Sequence, residues 1–129
     1  MKINKFQDLE VWQLSIEIVV QIYKLCLNLK FAKDFGLRDQ IRRAVVSIAS
    51  NIAEGFEMSN NNDFIRFLRI AKGSIGEVKT QIYIALKIGY ITEKEYEEVA
   101  GKLDLLSSKV GSFMNYLYIK KSTKEYKTR

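Results

Sequence analysis

At 129 residues, with a net charge of +6, the chain has the size of a single domain and enough length to bury a core. It contains no histidine, no proline and one cysteine, Cys26. This excludes Ser–His and Cys–His nucleophile pairs, the Glu-x-x-His ligands of di-iron bundles, an internal disulfide and a multi-cysteine zinc site. Apolar residues recur at helical spacing and no apolar run reaches the roughly 18 residues of a membrane span. The expected class is therefore all-α, in a cytoplasmic protein with no membrane partner, no cofactor and no metal, and with Cys26 as a buried structural thiol.

The first helix is expected over 8–29. Leu9, Trp12, Ile16, Val19, Val20, Tyr23 and Leu27 form one apolar face, while Val11, Leu14, Ile18, Ile22, Leu25 and Leu29 form another. A peripheral bundle helix normally buries one stripe, so the second face calls for a covering loop or, preferably, another subunit. Residues 30–36 read as a loop in which Gly36 is free to adopt a positive φ.

The second helix, 37–57, contains QIRRAVVSIASNIAEG, which carries two ordered faces. Ile41, Val45, Ile48, Ile52 and Phe56 share an apolar arc; Gln40, Arg43, Ser47, Asn51 and Glu54 form a polar stripe beside it. The polar run from Met58 to Asp63 ends this helix. The third, 62–88, has Phe64, Leu68, Ala71, Ile75, Val78, Ile82 and Ala85 as a heptad seam, with Gly89 placed to stop it. Thr92 and Glu95 form a capping box for a fourth helix over 93–119, whose seam is Tyr96, Val99, Leu103, Leu106, Val110, Phe113 and Leu117. Four long helices with short connections predict an up-down-up-down antiparallel four-helix bundle over 1–119. Residues 120–129, with five basic groups and one acid, read as a flexible basic tail.

Residues 38–87 hold eight basic and five acidic side chains, whereas 88–119 hold three and five. Arg38, Arg42, Arg43, Arg66, Arg69 and Lys72 are the best candidates for a nucleic-acid-binding surface, against the plain reading of solvated charges. A carboxylate pair from Glu54 and Glu77 is the only acid–base arrangement worth naming, and nothing in the sequence completes an active site around it. Gly73 and Gly76 fall inside a helix, where each costs about 1 kcal/mol relative to alanine. They mark either close approach of a neighbour to the backbone or tolerated exposure.

The blocks FQDLEVWQ, QIRRAVVSIASNIAEG and FIRFLRIAKGSIGEVKTQIYIALKIGYI cover residues 6–119. They resemble the four-helix-bundle family encoded in intervening sequences of bacterial 23S rRNA genes. The resemblance implies a small bacterial protein that assembles as a barrel-like homopentameric ring and is suspected of binding RNA, with no established enzymatic activity. It also implies a fold similar to the accessory variability protein of diversity-generating retroelements. Its motif positions here are Gln40, Arg42, Arg43, Ser47, Asn51, Glu54 and Gly55, then Gly73, Ser74, Glu77 and Gln81. Ala49 and Ala32 stand where proline is common in that family; alanine at 49 should let the second helix run straight. The polar motif residues, Gln40, Ser47, Asn51, Glu54, Gly55, Gly73, Ser74, Glu77 and Gln81, are expected to fix helix packing or subunit contact. The expected function is that of a non-enzymatic homo-oligomer that associates with RNA or other nucleic acid; the alternative is a scaffold or adaptor for a protein partner.

Overall fold

The computed structural model describes residues 3–123, with side chains through Lys120. A 3-10 turn, Phe6–Asp8, precedes α1 (Glu10–Leu25), α2 (Leu29–Lys33), α3 (Phe35–Glu57), α4 (Asn61–Lys87) and α5 (Glu93–Thr123). No strand occurs among the described residues.

Local chemistry sets most of the boundaries. The Asn60 side chain caps α4 by accepting from the Asp63 amide at 2.9 Å. At α5 the capping box closes in both directions, with Glu95 N–H donating to Thr92 Oγ1 at 3.1 Å and Thr92 N–H donating to Glu95 Oε1 at 2.9 Å. Gly89 takes the positive φ, 83°, that turns the chain after α4. Gly36 does not, because α3 begins a residue earlier at Phe35 and places it in the first helical turn. The cap there is Asp34, whose Oδ1 accepts the Leu37 amide at 3.1 Å.

The pairings fix the topology. Glu10 and Glu17 of α1 meet Lys109 and Lys102 of α5, so the sequence order reverses between these helices. Asn61, at the start of α4, donates to the Leu117 carbonyl near the end of α5. Between α3 and α4, Ser47 faces Ser74 and Gly55 faces Phe64. Since α1 and α4 both border α3 and α5, the four long helices form an antiparallel square bundle.

The expected seams of α3 and α4 are buried at every position, from Ile41 to Phe56 and from Phe64 to Ala85. In α5, Val99, Leu103, Leu106, Val110 and Leu117 are buried, and Tyr96 and Phe113 are half-buried at the margins. Each fully buried Ile, Leu, Val or Phe contributes roughly 1.5–3 kcal/mol relative to exposure. With Ala49 in place of proline, α3 runs unbroken through its centre.

The largest departures from the sequence expectation lie after α1 and at the end of α5. α1 ends at Leu25, four residues early. The loop that follows contains α2, pinned by Phe31, which is fully buried under the Tyr90 ring at a centroid distance of 5.5 Å. At the other terminus α5 continues to Thr123, so the expected tail begins inside a helix; residues 124–129 lie outside the described region.

Candidate functional site

Within the polar stripe of α3, Ser47, with Asn51 behind it, forms a clasp onto α4, and together with Arg43 and Glu54 they border an open pocket against Tyr23. Ser47 and Ser74 hydroxyls meet at 3.1 Å across the helices. Asn51 Nδ2 donates to the Ser47 carbonyl at 2.8 Å and to its hydroxyl at 3.0 Å. Ser74 and Gln81 are buried in this seam although polar. Gly55 closes it, because a Cβ there would lie 2.8 Å from Phe64 Cδ1 and 2.9 Å from Phe67 Cβ. Only glycine lets these two helices approach so closely at that level.

The remaining motif residues do not join the clasp. Gln40, Glu54, Gly73 and Glu77 are exposed. A Cβ at Gly73 or Gly76 would meet nothing within 4 Å, so packing inside the subunit gives no reason for either glycine. Glu77 lies one turn beyond Ser74, level with about Ala44; the helical rise separates that level from Glu54 by roughly 15 Å. These two carboxylates therefore form no acid–base pair.

The six basic candidates occupy different places. With Gly55 packed on Phe64 and Phe67, Arg66 sits near the level of Gly55, roughly 25 Å along α3 from Arg38. Arg66 pairs with Asp63 at 3.6 Å and lies over the Phe67 ring. Lys72 turns to α5, donating to Ser107 Oγ at 2.9 Å. Arg42 lies over the Tyr23 ring at 4.9 Å, between α3 and α1. Arg38 Nη1 donates to the Ala32 carbonyl at 3.0 Å and its Nε pairs with Asp39 at 3.1 Å. Arg43 and Arg69 alone extend from exposed positions without a hydrogen bond or ion pair among the described residues. The set is a scatter of cations along two helices and does not make one patch.

Sequence reasoning passed over the α2 segment, which the structure makes a rigid basic tip. Tyr90 hydroxyl donates to Asp34 Oδ2 at 2.8 Å, and Asn28 Nδ2 donates to the Tyr90 carbonyl and to Glu95 Oε1. These bonds tie α2 to the α4–α5 turn. The Leu37 amide, and after it the Tyr90 hydroxyl, hold the Asp34 carboxyl below its ordinary pKa; the same carboxylate raises that of Tyr90. Lys24, Lys30 and Lys33 are exposed around the tip, and Phe35 is 63 % exposed. The spacing of LNLKFAKDF carried the signal, one inward aromatic four residues before a second, with one lysine just before the first and another between them.

The two faces of α1 separate clearly. Val11, Ile18, Ile22 and Leu25 enter the core; of the other face, Leu9 is buried with them and Trp12 and Val19 pack against the core's edge, whereas Val20, Tyr23 and Leu27 are left exposed. At its N-terminal end Phe6 covers Trp12 with ring centroids 5.2 Å apart. Further along, Val20, Tyr23, Leu27 and Val46 of α3 are 47 %, 39 %, 72 % and 39 % exposed. Together with Val19 and Arg42 they line an open groove of about 500 Å³. Cys26 is buried behind this face, and burial pushes its thiol pKa up against the opposing pull of Arg42.

The sequence model for 23S rRNA-intervening sequence proteins matches residues 7–112. The chain belongs to that family. A crystal structure of an S23 ribosomal protein family member of unknown function, from Bacteroides thetaiotaomicron, is similar at a TM-score of 0.75 and 29% identity, covering 81% of this chain and 97% of that one. No curated protein matches. Among the described residues of this intervening-sequence protein, no helix is long and apolar enough to cross a membrane, and no group of three or more metal-ligating side chains gathers.

Proposed function

We propose that this protein is a non-enzymatic homo-oligomer that binds RNA through basic side chains presented around the assembly. The observation that carries the reading is the open α1–α3 face: a well-packed bundle leaves Val20, Tyr23, Leu27 and Val46 uncovered along one groove. A second copy of the chain is the occupant that the family resemblance supports, with five subunits in a ring. Ring assembly multiplies each unpaired cation, so Arg43 and Arg69, weak as single contacts, would recur around a symmetry axis. The family's description by a 23S rRNA intervening sequence supports RNA as the nucleic acid.

Phosphate contacts dominate such binding, so retention of structured RNA should fall steeply between low and moderate salt. Reversing Arg66 and Arg69 together should weaken retention without unfolding the chain, while reversing Glu97 and Glu98 should not. Absence of any RNA retention at low ionic strength would remove the nucleic-acid reading and leave the open face to a protein partner, as a scaffold.

A further inference from the structure

The basic tip around α2 is built more firmly than a connecting loop requires. Phe31 anchors it from within, Tyr90 and Asn28 bind it to the α4–α5 turn, and Arg38 grips the Ala32 carbonyl. On this rigid support the Phe35 ring projects into solvent with one face covered by the Arg38 guanidinium, 4.7 Å from its centroid. Asp39 and Ala32 hold that guanidinium in place, so the Phe35 side chain is backed by a fixed cation. Lys30 and Lys33, one turn apart on α2, have no hydrogen bond or ion pair among the described residues. The one acid within α2 and its caps, Asp34, is engaged by the Leu37 amide and the Tyr90 hydroxyl.

We infer that this tip binds single-stranded nucleic acid, with an unpaired base stacked on the open face of Phe35 and the adjoining phosphates held by Lys30 and Lys33. The inference rests on the nucleic-acid reading above and adds the strand class and the place. A base can lie on an aromatic ring only when its own face is free; duplex bases are already stacked on each other and offer a face only at the ends. The ring, its backing guanidinium and the flanking lysines combine a stacking platform with backbone neutralisation.

Fluorescence anisotropy at low salt, with the full chain and a labelled uridine oligomer against a blunt RNA duplex of equal length, tests this. The expected result is preference for the oligomer. Phe35→Ala should cost about tenfold in oligomer affinity, Phe35→Trp should restore it, and the combined Lys30→Glu and Lys33→Glu variant should weaken binding and flatten its salt dependence. Equal or tighter duplex binding, or oligomer binding indifferent to Phe35→Ala and to the lysine reversals, overturns the inference while leaving RNA association standing. Failure of the wild-type chain to bind either RNA overturns both. Binding to vesicles of phosphatidylglycerol and phosphatidylcholine in place of RNA also overturns it, assigning Leu27, Leu29 and the lysines to an anionic lipid surface.

Discussion

The α3–α4 seam and the outer α1–α3 face are both made by α3, yet they are finished differently. In the seam the groups around Ser47 find counterparts within the chain: Ser47 meets Ser74, Asn51 meets Ser47, and Gly55 admits Phe64 and Phe67. On the outer face Val46 looks across at Val20 and Tyr23, and the groove between them stays open. Polar residues thus complete the contact inside the subunit, while apolar residues are left at its surface. Ser47, Asn51, Gly55 and Ser74 are therefore better explained by folding than by ligand binding, whereas Gln40, Glu54, Gly73 and Glu77 stay exposed. The apolar face is the part for which the single chain provides no explanation.

That contrast can be broken most severely at Gly55. Gly55→Ala puts a methyl group against the Phe64 ring and Phe67 Cβ, and should cost about 1–3 kcal/mol in urea unfolding. An unchanged midpoint would mean that the helices do not approach as described. Ser74→Ala leaves the Ser47–Asn51 pair short of one partner, with an expected loss of about 1 kcal/mol. If that loss appears only when subunits associate, the clasp belongs to the interface instead.

Val20→Ser with Leu27→Ser should have the opposite profile. Stability measured at the lowest usable concentration should change by no more than about 0.5 kcal/mol, while the assembled mass falls. A large loss in the dilute chain would place these side chains in the core. The smallest effect is expected at Asp34. Its carboxyl is held below the ordinary value, so its contribution is present above the unfolded pKa near 3.8 and is lost as pH falls through the lower folded value. Asp34→Asn should remove that part of the acid dependence, seen as a flatter stability profile below pH 4, with the α3 cap retained.

Periodicity was enough to read the seams of α3, α4 and α5, because leucine, isoleucine and valine at 3/4 spacing admit one buried side. It was not enough for α1, where Trp12, Ile16 and Val19 repeat as regularly as Val11, Ile18 and Ile22; neighbours, not pattern, choose between two apolar faces. The α2 turn was hidden because five residues are too few to show a period, and its stability comes from Phe31 beneath Tyr90, a ring supplied from the α4–α5 turn. Arginine positions were legible on the helix but their partners were not. Arg38, Arg42 and Arg66 each lie over an aromatic ring whose side-chain direction depends on packing. The expected patch therefore dispersed, while Lys30, Lys33 and Phe35 came together in a segment read as a plain loop.

Sedimentation velocity of the full chain at micromolar concentration tests the assembly most directly. A uniform species near five times the 15.0 kDa chain mass, which shifts toward the monomer in the Val20→Ser and Leu27→Ser variant, is the predicted result. A wild-type chain sedimenting at 15.0 kDa across that range would contradict it, and would return the α1–α3 groove to a different partner.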